Sequence, residues 1–161
     1  IRHFPVDFSI ELRGDGEEEY RTAARLTGQD DAPVQPVAVS FDRTQARYVR
    51  LVVTRLSPET IPGDCLHLQL AEIEVQLTGG ASNLAEHKMV TAGDSLETGA
   101  WGVANLTDGL TASRDPHIGY TSGRNVGQDP DVSADPLWLE VDLGSDQTFN
   151  QVTLWHSHPT L

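Results

Sequence analysis

Two stretches of this sequence carry side chains suited to pairing with hydroxyl groups. Arg114, His117, Tyr120, Arg124 and Asn125 fall in one segment, and Trp155-His156-Ser157-His158 closes another. Planar donors and acceptors beside an aromatic face are what a sugar ring requires, because the polar groups pair its hydroxyls while its apolar side rests on the aromatic. A third stretch, Asp129, Asp131, Ser133, Asp135 and Glu140, imitates the oxygen spacing of a helix-flanked calcium loop. Ala134 stands where that loop needs glycine, Pro130 and Pro136 stiffen it, and no helical pattern flanks it, so an acidic surface loop is expected instead. His156 and His158 as a zinc pair lack a third ligand at suitable spacing. Each residue also has a plain structural reading: Tyr120 in the core, His156 and His158 as edge histidines, Trp101 and Trp138 as packing anchors.

Other chemistries find less support. There is no Gly-x-Ser-x-Gly elbow, and the lone Cys65 lacks the context of a nucleophile. Carboxylate pairs say little in a chain with 24 Asp and Glu, and none is singled out as a glycosidase dyad. The expectation is that the chain is not an enzyme. Arg13-Gly14-Asp15, an adhesion tripeptide, sits where a hairpin turn is expected, and Asn105-Leu106-Thr107 is a glycosylation sequon. A net charge of −13 over 161 residues opposes binding to nucleic acid or to anionic lipid. One cysteine excludes an internal disulfide and any CxxC zinc motif. No run approaches the roughly 18 apolar residues of a membrane helix. The chain begins at Ile1 and shows no signal peptide, so it reads as a piece of a longer, processed or trimmed protein.

The elements that would position these residues are strands. Phe4, Val6, Phe8, Ile10 and Leu12 alternate with polar residues until the Gly14-Asp15-Gly16 turn, which marks a strand with one buried face. Further strand signals cover 36–41, 47–56, 66–77, 137–143 and 149–155, separated by Gly, Pro, Asp and Ser. Within 66–77 the apolar parity changes: Leu66, Leu68 and Leu70 hold one phase, Ala71, Ile73, Val75 and Leu77 the other. A β-bulge near Leu70 and Ala71 is expected, which makes Glu72 a residue to watch. Residues 78–82, Thr-Gly-Gly-Ala-Ser, form the best candidate linker. The irregular run from 109 to 136 is long enough to suggest a functional or metal-tied loop.

Several of these segments resemble one known family. Asn83-Leu84-Ala85, Asn105-Leu106-Thr107-Asp108-Gly109, Gly119-Tyr120-Thr121-Ser122 and Leu137-Trp138-Leu139-Glu140-Val141-Asp142-Leu143-Gly144 resemble the opening half of a discoidin, or coagulation factor 5/8 type C, domain. Phe4-Pro5-Val6-Asp7-Phe8, Ala46-Arg47-Tyr48-Val49-Arg50-Leu51 and Leu70-Ala71-Glu72-Ile73-Glu74-Val75 resemble its closing half. The halves stand in reversed order, with 1–77 like the family's C-terminal half and 83–161 like its N-terminal half, around the linker at 78–82. The chain is then either a circularly permuted single domain spanning 1–161, the favoured reading, or the tail of one repeat joined to the head of the next, which would need strand exchange into a dimer.

The resemblance implies an all-β, jelly-roll β-sandwich of the galactose-binding type. It also implies a structural calcium ion held by carboxylates of Glu72 and Asp108, backbone oxygens of Ala71, Asn105 and Leu110, and Ser113. Carbohydrate would be bound by Arg114, His117, Tyr120, Arg124, His156, His158 and Arg2, with permutation bringing Arg2 beside the 155–158 strand end. The family's Arg at that strand end is replaced here by His156 or His158, which bears on which ligand is taken. The implied function is a noncatalytic carbohydrate-binding module of a larger secreted bacterial protein, such as a glycoside hydrolase, located extracellularly or at the cell surface. Its partner would be a glycan or polysaccharide, with no nucleic acid and with membrane binding disfavoured. The alternative is a protein-adhesion or spacer module without a small-ligand site.

Overall fold

The computed structural model describes residues 3–29, 36–58, 63, 65–111 and 119–157. Among these the regular structure is β, apart from a single 3-10 turn at Val103–Thr107. The strict alternation near the start becomes β1 (Pro5–Arg13), whose Val6, Phe8, Ile10 and Leu12 are buried. β3 (Val37–Leu56) and β8 (Leu137–Trp155) each unite two segments that look separate in sequence. Asp42-Arg43 and Gly144-Ser145-Asp146 resemble turns, yet the chain runs on through them. Register shifts between Ser40 and Thr44 and between Ala46 and Tyr48 absorb the mismatch between the two strands.

Two strands carry no alternation and were invisible to it. β2 (Arg21–Leu26) is a largely exposed edge strand held by its ladder to β1, and β6 (Met89–Ala92) has four residues. An antiparallel sheet runs in the order β2-β1-β3-β8-β5, where β5 is Glu72–Gln76, and β6 pairs with another part of β8. The second sheet pairs β4 (Gln69–Leu70) with β7 (Tyr120–Thr121). Inward residues of both sheets meet in one apolar core, with Phe4, Phe8, Leu70, Ile73, Tyr120 and Phe149 among its fully buried members. Each large side chain so buried contributes about 1.5–3 kcal/mol. The architecture is all-β and has the character of a β-sandwich.

Strands from either side of residues 78–82 interleave in the large sheet, since β8 lies between β3 and β5. Residues 78–82 themselves are no spacer. Gly80 N–H donates to the Leu77 carbonyl at 2.7 Å around Gly79, and Leu84 N–H then bonds the Val75 carbonyl, so the chain reverses directly onto β5. At the other extreme of the chain, the Phe4 and His156 rings lie with centroids 4.0 Å apart.

The parity change at Leu70 and Ala71 has a larger cause than the expected bulge. Leu70 pairs with Tyr120 in the small sheet, and Glu72 pairs with Trp155 in the large one. Ala71 is the crossover, anchored by its N–H to the Trp155 carbonyl at 2.9 Å. The side-chain phase resets because the strand changes sheets.

Candidate functional site

The crossover drives Glu72 inward until it has no exposed surface. Its Oε1 accepts one hydrogen bond, from Gly109 N–H at 3.1 Å, and its Oε2 has no hydrogen-bond partner among the described residues. Burial pushes the carboxyl up to about 8, and the charge of Asp108 adds to the rise against the single Gly109 donor. A buried carboxylate with an unpaired oxygen is costly unless protonated or given a cation. The Asp108-Gly109 turn that faces it is fixed by Asp108 Oδ1 accepting Leu110 N–H at 2.9 Å.

A second approach tightens the same region. Gly119 holds φ 147°, and a Cβ there would stand 2.6 Å from the Leu70 carbonyl oxygen, so only glycine lets this strand lie against the crossover. Its carbonyl accepts from Gly102 N–H at 3.0 Å and from Asn105 Nδ2 at 2.9 Å. Asn105 Nδ2 also donates to the Ala100 carbonyl. With its amide engaged on both sides, the Asn105 side chain is a structural brace in the folded chain and not an open glycosylation acceptor.

Of the residues expected to hold calcium, the structure brings Ala71, Glu72, Asp108 and Leu110 around the crossover and its facing turn, with Asn105 bracing the loop. Ser113 lies outside the described residues. The donor set suits a hard cation, because carboxylates and carbonyls are what calcium takes. Among the described residues no three His, Cys, Asp or Glu side chains gather as a metal cluster. Any ion here would therefore depend on backbone oxygens as well as on Glu72 and Asp108.

The expected sugar-binding residues divide. Arg2, Arg114, His117 and His158 lie outside the described residues. His156 packs on Phe4, at an edge that also holds His3 and His67, whose rings stand 6.1 Å apart. His67 Nδ1 bonds the Ser122 carbonyl at 3.1 Å, and Trp155 Nε1 donates to Glu74 at 2.9 Å. Tyr120 is only 1% exposed and its hydroxyl donates to the Asp94 carbonyl at 2.8 Å. It belongs to the core, and the stacking face expected of it is not presented. Arg124 instead enters a cleft bounded by Asp94 and Asp135, residues that spacing alone did not join to it.

The acidic run at 129–135 closes on itself. Asp129 accepts Asp131 N–H at 3.0 Å, and Asp131 accepts Ser133 N–H at 2.9 Å; the Ser133 side chain, and after it this N–H, hold the Asp131 carboxyl below its ordinary value. These are turn-capping contacts of a surface loop.

The outer face of the large sheet shows carboxylates satisfied from within the chain. Arg47 donates from Nε and Nη2 to the two oxygens of Asp142 at 2.8 and 3.0 Å, and Gly144 N–H adds a third bond at 2.8 Å. Asp142 is thereby held below the usual carboxylate range. Beside it Arg50 pairs with Glu140 at 3.1 Å and stacks 4.1 Å from the Tyr20 ring and 4.6 Å from that of Trp138. Arg13 lies 4.0 Å over Tyr48 and bonds the Glu17 carbonyl. The Arg13-Gly14-Asp15 tripeptide is thus folded down onto the sheet and not displayed as an adhesion loop.

No family model matches the chain, and no curated protein or solved structure matches it significantly.

Proposed function

We propose that the chain is a noncatalytic carbohydrate-binding module of the discoidin type, a jelly-roll sandwich with circularly permuted halves and one structural calcium ion. The observation that carries this reading is Glu72: a fully buried carboxylate with one oxygen unpaired among the described residues, beside Asp108, at the place the resemblance reserves for the ion. Glu72 and Asp108 would supply its charge, and the carbonyls of Ala71, Asn105 and Leu110 would complete it together with Ser113. The ion's contribution is to pin the loop after Asp108 without touching sugar. Interleaving of strands from both halves in one sheet, and the Phe4–His156 contact, support permutation over exchange between chains.

Sugar would be held at the edge of His156 and His3, where Arg2, Arg114, His117 and His158 are expected to join. Among the described residues no helix is long and apolar enough to cross a membrane. An extracellular setting, attached to a glycoside hydrolase or similar protein, suits a module whose effect is to raise the local concentration of its partner on a polysaccharide.

A glycan array with the soluble chain in calcium, repeated in chelator, tests the proposal. Binding to a defined neutral glycan that weakens in chelator is expected, and His156→Ala should weaken it at unchanged melting temperature. A blank array at high protein concentration would leave the adhesion or spacer reading standing in its place.

A further inference from the structure

We infer that the neutral ring of His3 is a latch that holds the histidine edge together and releases it in acid. As a control on sugar it rests on the carbohydrate reading above, whereas the latch itself stands on the bonds His3 makes. Three bonds fasten the chain at the entry to β1. His67 N–H donates to His3 Nδ1 at 3.2 Å, Gln69 N–H donates to the His3 carbonyl at 2.9 Å, and Ser57 N–H donates to the Phe4 carbonyl at 3.0 Å. His3 is only 8% exposed, and the buried Phe4 beside it packs its ring on His156.

The first of these bonds fixes the state of the ring. A backbone N–H can only donate, so His3 Nδ1 offers a lone pair and the single ring proton sits on Nε2. The neutral imidazole meets that demand, and the imidazolium, with a proton on each nitrogen, does not. His67 behaves in the opposite way. Its Nδ1 faces the Ser122 carbonyl at 3.1 Å, and a carbonyl can only accept, so that nitrogen carries a proton in the neutral and the charged ring alike. Of these two rings, with centroids 6.1 Å apart, it is His3 that loses this bond on protonation and leaves a buried N–H facing an N–H.

The surroundings push in the same direction. Among the described residues the other titratable side chains on the run into β4 and at the end of β8 are Cys65 and His156, and any charge on His67 or His156 adds repulsion to a charged His3. The nearest carboxylate on β1, Asp7, is engaged by Gly28 N–H at 2.7 Å, and Arg124, on the turn after Ser122, is engaged by Asp135. The backbone is loaded as well, since His3 holds φ 64°, a left-handed conformation that a side chain with a Cβ resists and that release of the ring relieves. The fastened edge binds no proton at His3 Nδ1 and the released edge does, so acid between roughly pH 7 and 5, where imidazoles titrate, drives release. Phe4 then loses its seat on His156, at the edge proposed to hold sugar.

The test is amide exchange by NMR on the whole ¹⁵N-labelled chain in calcium, at about pH 7.5 and pH 5, in the unsubstituted protein and in His3→Asn. Asn suits the position because its Oδ1 takes the place of Nδ1, accepts at either pH, and tolerates the left-handed backbone. Protection of the His67 and Gln69 N–H groups, corrected for intrinsic exchange, should fall by about tenfold in acid in the unsubstituted chain and stay level in His3→Asn. The ring ¹⁵N shifts of the unsubstituted chain give a second reading that needs no variant: His3 Nδ1 should be unprotonated at the higher pH, and its protonation should coincide with the loss of protection. Protection that survives while Nδ1 is protonated, or that falls equally in His3→Asn, would overturn the latch. Galactose and mannose titrations at both pH values, followed on the Trp155 indole N–H, separate the latch from the reading beneath it. Binding lost in acid and restored by His3→Asn supports both, and binding that persists in acid would overturn the control of sugar. Absence of binding at the higher pH would overturn the carbohydrate reading, with the latch still decided by exchange.

Discussion

Glu72 and Asp142 are both carboxylates on strands of the same sheet, and the fold treats them in opposite ways. Asp142 receives two bonds from Arg47 and one from Gly144, and its pKa falls. Glu72 receives one bond from Gly109, faces Asp108, and its pKa rises. The first carboxylate is complete within the chain. Among the described residues the second is left incomplete, to be completed by a proton or a cation, and that difference separates a structural ion pair from a candidate binding site.

The sharpest break of this comparison is calcium itself. At a hundredfold excess over its dissociation constant, a bound ion stabilises by about 2.7 kcal/mol. At about 2–4 °C per kcal/mol this raises Tm by roughly 5–11 °C over the value in chelator. Calorimetry of Asp108→Ala should show that rise abolished, while an unchanged wild-type Tm in excess calcium would remove the ion site.

Next in size is the pH dependence without metal. A carboxyl whose pKa is raised in the folded state favours folding while protonated and loses that advantage as pH climbs from the unfolded value toward about 8. In chelator, Tm should therefore fall by several degrees between pH 5 and 8. Glu72→Gln should flatten that fall and raise Tm at pH 8 in chelator, yet lower it in calcium. The same sign in both conditions would mean that Glu72 does not meet an ion.

Asp142 gives the opposite limb. Its depressed pKa supplies stability above the unfolded value that is lost as pH falls through the folded one. Arg47→Ala should lower Tm at neutral pH and blunt the acid-side loss. A full acid limb surviving in Arg47→Ala would assign it to another carboxylate. Smallest is the exposed pair Arg21–Glu17 at 3.2 Å, where Glu17→Ala should change stability by less than about 0.5 kcal/mol in urea titration.

Much of the fold was legible where one face is buried. Alternation located β1, and short β-branched or aromatic runs bounded by turn residues located both arms of β3 and both arms of β8. It missed β2, whose Arg-Thr-Ala-Ala-Arg-Leu lies exposed at a sheet edge and is held by backbone pairing that leaves no mark on residue type. The parity break at Ala71 was visible as a break, but only the partners Tyr120 and Trp155 reveal a change of sheet. Glu72 was flagged through that same break. That its Oε2 finds no partner among the described residues was not, since burial of a charged residue depends on what surrounds it in space. Arg124 was picked by type alone, and its companions Asp94 and Asp135 reach it from separate loops.

The ladder between β3 and β8 also governs how the chain comes to be folded. Val37 meets Leu154 and Val53 meets Leu137, partners separated by on the order of a hundred positions. No local hairpin can start this central pairing, whereas β1 and β2 close across a short turn and can form early. Topology of this kind folds in milliseconds to seconds. During synthesis β3 leaves the ribosome with one long edge unpaired and waits for β8, which emerges on the order of a hundred residues later. Through that interval the nascent chain exposes Val49, Leu51 and Val53 beside a bare backbone edge, the combination most open to aggregation.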